Sequence, residues 1–132
     1  MSFYNEKYKN QLSLDLTKLE PLFQLGRELD EDVVSELVKT HCETVTVQLK
    51  QIEILFETKN FIQVRSEAHK LKSSAATLGL NKLYRMCIDL ESYLQNPSTA
   101  CAPVVNAYIT GITIEFNLTK LMLNNMQTQV GA

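Results

Sequence analysis

The sequence predicts an all-α protein, an antiparallel up-and-down four-helix bundle with a short extra helix on its N-terminal side. Apolar residues recur at alternating spacings of three and four over long stretches, the pattern of a helix with one buried face. Short connections rich in asparagine, glycine or proline separate these stretches. The one segment with strand-like composition would have no second strand to pair with. Four amphipathic helices joined in this way bury their apolar faces as a bundle.

The short extra helix is expected within residues 16–26. Leu16, Leu19 and Phe23 form its apolar side, and Pro21 is near its first turn, where proline is tolerated. Gly26 is the predicted stop of this helix.

The first long helix is predicted to begin at Asp30 as N-cap, with Glu31 and Asp32 in the first turn, and to run to about Thr58. Its apolar stripe has spacings of 4, 3, 4, 3 and 4 at Val38, Cys42, Val45, Leu49, Ile52 and Phe56.

Asn60 opens the second long helix, and Gly79 closes it as a residue just past the helix end would. Its stripe comprises Phe61, Val64, Ala68, Leu71, Ala75 and Leu78. The third helix carries its own stripe and ends before Pro97, where residues 97–103 form a clear connection. That stripe comprises Leu80, Leu83, Cys87, Leu90 and Leu94.

The last segment, about residues 104–127, fits either a helix or a strand. A β-branched run with a glycine, residues 108–114, favours a strand by propensity. A helical stripe runs through the same segment at Val105, Ile109, Ile112, Phe116, Leu123 and Met126. We interpret it as the fourth bundle helix, because a lone strand would be unpaired.

The 132 residues form one domain with 45% apolar and 21% charged residues, enough to fold without a metal or a disulfide. Residues 1–14 show no sustained period and are interpreted as a loose N-terminal arm, and residues 15–132 as the bundle. We expect the protein to act as a monomer.

Cysteine usage and the N-terminus predict a cytoplasmic protein. The three cysteines are widely spaced, and an odd number argues against a disulfide framework. Glu6 and Lys7 carry charge where a secretory signal needs an apolar run. No stretch approaches the roughly 20 apolar residues of a membrane span, so no membrane association is expected.

Basic residues are concentrated in one part of the chain. The net charge of −2 makes nucleic-acid binding improbable. Between residues 59 and 85 the charge is +5, from Glu67 and six basic residues, Lys59, Arg65, Lys70, Lys72, Lys82 and Arg85. Such a segment is either an ordinary solvated face or a docking surface for an acidic partner.

His69 is predicted to point away from the core. At about 100° per residue, its side chain lies roughly 130° from the middle of the stripe that contains Ala68. Its own face carries Arg65, Ser66, Lys72, Ser73 and Ala76. The ring is thus expected to be exposed, close to positive charge, with small neighbours that leave its edge open.

This neighbourhood suits a phosphoryl acceptor. Neutral imidazole, with an ordinary pKa of about 6.5, is a nucleophile near neutral pH. Phosphoryl transfer depends mainly on positioning and on neutralising oxygen charge. Lys72, one turn after His69, can donate to the oxygens of a phosphorylated ring. The alternative is a surface histidine of no special role.

Other candidate sites have less support. His41 lies at the edge of its helix's apolar face and is interpreted as a boundary residue. A metal cluster of His41, Cys42 and Cys87 stays open as an alternative, but both cysteines fall on core stripes, so no metal site is predicted. The sequence contains no Gly-rich phosphate loop, H-E-x-x-H motif or G-x-S-x-G motif.

Residues 68–80, Ala-His-Lys-Leu-Lys-Ser-Ser-Ala-Ala-Thr-Leu-Gly-Leu, resemble the signature A-H-x-L-K-G-S-S/A-x-x-x-G of the histidine phosphotransfer (HPt) family. Leu83, Cys87, Leu90 and Glu91 resemble the family's downstream L-x-x-x-C-x-x-L-E. The helices expected between residues 16 and 127 agree with the family's fold in order and length. Residues 1–14 fall outside the resemblance.

The resemblance implies a phosphocarrier of two-component phosphorelays. By position, His69 is the phosphoacceptor, Lys72 pairs with the phosphate, and Gly79 ends the helix and permits a tight turn. The family has no nucleotide site, which implies neither autokinase activity nor a cofactor of its own. Its partners are receiver domains of a hybrid histidine kinase and a response regulator, whose acidic pockets hold Mg²⁺. Such a pocket suits a docking patch of Arg65, Lys70, Lys82 and Arg85.

Two other classes of protein are alternatives to the phosphotransfer family, and particular residues distinguish each of them from it. The dimerisation and phosphoacceptor domain of a sensor kinase has an acid and then a proline after its histidine. Here Lys70 follows, and no proline lies between Pro21 and Pro97. A helical adaptor that kept the bundle and lost the chemistry would be expected to lack His69 or Lys72.

Ser73 departs from the family pattern, which most often has glycine there, and this position generates the first prediction. Residues at i and i+4 are neighbours on a helix, so the side chain at 73 stands beside the imidazole of His69. Ser73→Leu should preserve the helix but block in-line approach to the ring. Ser73→Gly should leave transfer possible and lower stability by about 0.5 kcal/mol. Transfer rates and melting curves measured on both variants check this; a leucine variant that accepts phosphate at the parental rate would refute it.

Overall fold

The computed structural model describes residues 7–30 and 32–130, and for residues 126–130 it describes the backbone only. These residues contain no strand. The five helices are α1 (Glu20–Leu29), α2 (Val33–Glu57), α3 (Phe61–Thr77), α4 (Asn81–Tyr93) and α5 (Ala102–Val130). Two short 3₁₀ turns lie at Leu16–Lys18 and Pro97–Thr99. No helix in this part of the chain is both long and apolar enough to cross a membrane.

The last four helices form the predicted bundle. Helix α2 contacts α3, α3 contacts α4, α4 contacts α5, and α5 contacts α2, which closes the ring, while α1 packs on α2. The predicted stripes meet at its centre, where fully buried side chains include Val45, Val64, Ala68, Leu71, Ala75, Leu83, Cys87, Leu90 and Val105. The β-branched run 108–114 is helical, because tertiary burial of Ile109 and Ile112 outweighs its local preference.

Two predicted boundaries near the N-terminal side are wrong. Gly26 does not stop α1, which continues to Leu29. Asp30 is not an N-cap either: it has φ 54° and ends α1, and its N–H donates to the carbonyls of Arg27 and Gly26. Aspartate is one of the few residues that tolerates this left-handed conformation. The N-cap of α2 is Asp32, whose carboxylate accepts from the Ser35 N–H at 2.9 Å. Glu31 lies outside the described residues.

Gly79 joins α3 to α4 in a tight turn, as predicted. Its φ is +69°, the Gly79 N–H donates to the Ala76 carbonyl, and the Leu80 N–H donates to the Ala75 carbonyl. These two bonds complete a Schellman motif. A Cβ at position 79 would also lie 2.6 Å from the Asp15 carbonyl oxygen, so glycine is required on two grounds.

The described part of the N-terminal arm packs on the bundle and is not loose. Tyr8 is fully buried, and its hydroxyl donates to Asp89 at 2.5 Å. The Leu12 carbonyl accepts from the Lys82 N–H in the first turn of α4, where no side chain caps the helix. A single buried tyrosine in a short segment gives no periodic signal, which is why the sequence pattern missed it. Residues 1–6 lie outside the described residues.

His41 is buried in the core and is not a boundary residue. It is only 6% exposed, and its ring packs edge-on against Phe116 with centroids 6.1 Å apart. Within the described residues its Nε2 has no hydrogen-bond partner. Burial lowers the pKa of His41 to about 4, because the charged ring would lose its hydration.

This burial predicts a specific pH dependence of stability. The folded state holds the His41 proton less tightly than the unfolded state, whose pKa is near 6.5. Stability is therefore full above pH 6.5 and falls as the pH drops toward 4, by about 2–3 kcal/mol at pH 4.5. His41→Leu should remove that part of the loss. Urea unfolding of both proteins at pH 7.5 and 4.5 tests it, and equal losses in the two proteins would contradict the assignment.

Candidate functional site

His69 lies in the middle of α3 with its side chain 61% exposed. Its neighbour Ala68 is fully buried in the core, so the helix turns these adjacent residues to opposite environments. The predicted orientation of His69 away from the core is confirmed.

Glu91 of α4 connects His69 with Lys72. One carboxylate oxygen, Oε1, lies 2.9 Å from His69 Nδ1, and the other, Oε2, accepts from Lys72 Nζ at 3.2 Å. The antiparallel course of α3 and α4 brings them together. Glu91 and Lys72 are mostly covered, with 19% and 24% of their side chains exposed. The site is thus a triad of imidazole, carboxylate and ammonium joined by hydrogen bonds, and not a lone surface histidine.

The triad keeps the carboxylate ionised. Partial burial pushes the pKa of Glu91 upward, but the hydrogen bonds from His69 and Lys72, together with the Lys72 charge, outweigh it and lower the pKa below its ordinary value. Glu91 is therefore an anion at neutral pH, in contact with the ring on one side and an ammonium on the other.

An ionised carboxylate decides which nitrogen of the ring carries the proton. A carboxylate only accepts hydrogen bonds, so His69 Nδ1 must donate to it. In the neutral imidazole the proton then resides on Nδ1, which leaves the Nε2 lone pair free of a proton. The contact with Glu91 thus selects Nε2 as the nucleophilic atom of the ring.

Three small residues surround His69 on the solvent side of α3. Ser66, Ser73 and Ala76 are all exposed, and they lie one or two turns from the ring on the same face. None has a side chain large enough to cover the imidazole. Their role in giving a partner access to the ring stays a prediction.

The predicted docking patch is not a continuous basic surface. Lys82 is the clearest correction: its ammonium lies 3.8 Å from the buried Glu115 of α5, and it is nine residues from Glu91, on the opposite side of α4. Lys70 pairs with Glu67 at 3.3 Å. Arg85 is exposed and Arg65 is half-buried. A count of charges along the sequence could not show which of these basic side chains already form ion pairs with acidic residues.

Glu91 is the functional residue that sequence reasoning missed. It appeared in the sequence only as the last position of a motif, with no role. The available signal was its position: a charged residue directly after the buried Leu90 in a helix that must pack against the helix of His69. To predict that Glu91 contacts the His69 ring, one must know the register between α3 and α4, which the Gly79 turn fixes.

The cysteines show no site chemistry. Cys87 is fully buried, and burial raises the pKa of its thiol far above the ordinary value. Cys42 is half-buried and Cys101 is exposed. In the part of the chain that the structure describes, no three His, Cys, Asp or Glu side chains are grouped as metal ligands would be.

Comparison with known proteins finds a relative of similar sequence. The chain is 24% identical over 93 residues to multistep phosphorelay regulator 1 of Schizosaccharomyces pombe; the match covers 70% of this chain and 32% of that protein. The chain thus spans about a third of that relative's length.

Two solved structures share the fold. Histidine-containing phosphotransfer protein B of Pseudomonas aeruginosa PAO1 has a TM-score of 0.74 at 19% identity, covering 89% of this chain and 96% of that one. A rice protein described as a histidine-containing phosphotransfer protein has a TM-score of 0.69 at 24% identity, covering 86% and 85%.

The fold and the site together define a helical bundle with an exposed histidine that contacts a carboxylate of the neighbouring helix. The Hpt domain family model matches residues 36–129, which span most of α2 through α5. The chain belongs to the Hpt domain family.

The triad generates a prediction about Glu91. Glu91→Gln keeps an oxygen that accepts from Nδ1 but removes the charge that favours a positive ring. Phosphate acceptance by His69 should slow by roughly tenfold, as for loss of one charge-assisted contact. Glu91→Ala, which also removes the acceptor, should slow it further.

The matched control is Glu53→Gln on the exposed side of α2, which should change nothing. Initial rates of label transfer from a phosphorylated receiver measure the effect. Equal rates for parent and Glu91→Gln would show that the carboxylate charge has no part in the reaction.

Proposed function

We propose that this chain carries a phosphoryl group on His69 between the receiver-domain aspartates of a hybrid histidine kinase and of a response regulator in the cytoplasm. The observation that carries the proposal is the 2.9 Å contact between His69 Nδ1 and Glu91. It gives an exposed histidine an oriented ring and a free Nε2 lone pair, which a surface histidine without a role does not need.

In the first transfer the Nε2 lone pair attacks the phosphorus of an aspartyl phosphate. A P–N bond forms as the acyl P–O bond breaks, and the electron pair of that bond leaves with the aspartate as a carboxylate. The ring keeps its Nδ1 proton and becomes positively charged. Glu91 offsets this charge through its contact with Nδ1. The same steps in reverse pass the phosphoryl group to the next receiver.

Lys72 supports the reaction from the phosphoryl side. Its ammonium lies one turn from His69 and 3.2 Å from Glu91, so the carboxylate holds it near the ring. Phosphorylation places new anionic oxygens within reach of the same ammonium, which can donate to them. Lys72 would act on charge that develops during transfer more than on the docking encounter.

The remaining components would come from the partner. The Mg²⁺ would be supplied by the acidic pocket of the receiver domain, and the chain would need no cofactor of its own. The sequence has no Gly-rich phosphate loop, which supports a phosphocarrier without autokinase activity. Arg65 and Arg85 are the cations of the predicted patch that would face an acidic partner.

The site assignment predicts that His69→Gln abolishes phosphate acceptance. The ring is 61% exposed, and substitutions at exposed positions usually change stability by less than about 0.5 kcal/mol. Helix content and melting temperature should therefore be nearly those of the parent. Transfer of label from a phosphorylated receiver is measured beside circular dichroism melts.

Persistent labelling of the His69→Gln variant would place the phosphoacceptor elsewhere. A control with ATP and Mg²⁺ but no kinase should label neither protein. Label from ATP alone would support the sensor-kinase alternative.

A further inference from the structure

The N-terminal segment, residues 7–15, is anchored on α4 near the C-terminal end of that helix. The Tyr8 hydroxyl donates to the Asp89 carboxylate at 2.5 Å, and Lys7 Nζ lies 3.2 Å from the same carboxylate. Lys7 Nζ also donates to the Tyr108 hydroxyl of α5 at 3.4 Å. Because Tyr8 is fully buried, this anchor joins the segment to both α4 and α5.

Aromatic rings and charge reinforce this anchor. The Lys7 ammonium lies 5.5 Å from the centre of the Tyr8 ring and 5.6 Å from that of Tyr108, which is within cation–π range. Partial burial lowers the pKa of Lys7, but its hydrogen bonds to Asp89 and Tyr108 outweigh this effect and raise the pKa. The Asp89 side chain is only 22% exposed. The anchor is therefore a charge-assisted contact on a mostly covered carboxylate, stronger than an exposed ion pair.

A second anchor lies at the N-terminal end of α4. The Leu12 carbonyl accepts from the Lys82 N–H at 2.8 Å, and the Asp15 N–H donates to the Gly79 carbonyl at 2.7 Å. No side chain caps α4, so the backbone of the segment supplies an acceptor that a cap would otherwise provide. The two anchors are about 10 Å apart along the helix axis. Helix α4 is thus held at both of its ends.

The first anchor and the phosphoacceptor lie on opposite sides of α4. Asp89 comes two residues before Glu91, so at about 100° per residue their side chains point roughly 200° apart. Asp89 contacts the segment, whereas Glu91 contacts His69 Nδ1 at 2.9 Å. Helix α4 therefore lies between α3 and the N-terminal segment. A shift of α4 away from α3 would lengthen the contact between Glu91 and His69.

We propose that the N-terminal segment positions Glu91 against His69, with Tyr8 and Asp89 as positioning residues that do not touch the ring themselves. The contact that they maintain tolerates little displacement, because N–H···O hydrogen bonds are usually no longer than about 3.2 Å. The expected effect on phosphate transfer rests on the proposed function. The expected effect on the His69 ring does not, since it concerns the unphosphorylated chain.

¹⁵N-correlated NMR of the His69 ring at alkaline pH tests the proposal in Tyr8→Phe and Asp89→Asn. Each variant removes one partner of the same hydrogen bond, and Tyr8→Phe does so without changing charge. We expect the parent ring to be protonated at Nδ1, and both variants to contain an added population protonated at Nε2. Phosphate acceptance from a phosphorylated receiver should slow by roughly twofold to fivefold in Tyr8→Phe, because positioning errors remote from the reacting atoms slow catalysis.

Two control variants separate positioning from general stability. Val34→Ala removes buried packing in α2, a helix that does not carry Glu91, and should lower the melting temperature while the ring keeps the parental tautomer. Asn10→Ala, at an exposed position of the N-terminal segment, should change neither the tautomer nor the transfer rate.

A tautomer shift in Tyr8→Phe and Asp89→Asn that is absent from both controls supports the proposal. The parental tautomer in folded Tyr8→Phe and Asp89→Asn overturns it. An equal shift in Val34→Ala also overturns it, because general loss of stability would then be the cause. If the parent accepts no phosphate, the proposed function fails, and the tautomers still decide whether the segment positions Glu91.

Discussion

The antiparallel register of α3 and α4 is the constraint on which the site depends. Gly79 sets that register through its left-handed conformation, and the Asp15 backbone packs so closely that a Cβ would lie 2.6 Å from its carbonyl oxygen. With the turn fixed, Leu71 and Leu90 fill the core. The residues beside this core layer, including His69 and Glu91, are then aligned at the surface.

Because of this alignment, Glu91 can contact both His69 and Lys72. Its carboxylate contacts a ring nitrogen and an ammonium at 2.9 and 3.2 Å, so it fixes the tautomer of His69 and the location of Lys72 together. The three groups form one electrostatic unit, and a change in any of them alters the charge felt by the other two. Glu91, which is mostly buried, thereby positions the exposed ring of His69. The other side of the ring is left open for a partner.

Sequence periodicity predicted the fold because long buried stripes leave a strong repeated signal. It likewise predicted that His69 is exposed, since adjacent Ala68 lies on the core stripe. It could not predict contacts that join distant residues, such as Glu91 with His69, or Lys82 with Glu115. A local signal was also misleading: Asp30 has a residue type typical of an N-cap, but the structure places it at the end of α1 and Asp32 caps α2. Tyr8 was missed because one buried side chain makes no pattern.

We infer that Glu91 holds the proton of the His69 ring on Nδ1 and leaves Nε2 as the phosphoacceptor. The most direct measurement is ¹⁵N-correlated NMR of the His69 ring in the unphosphorylated chain at alkaline pH. We expect a neutral ring protonated at Nδ1, and a shift toward the other tautomer in Glu91→Ala. A ring protonated at Nε2 in the parent, or a tautomer unchanged by Glu91→Ala, would contradict it.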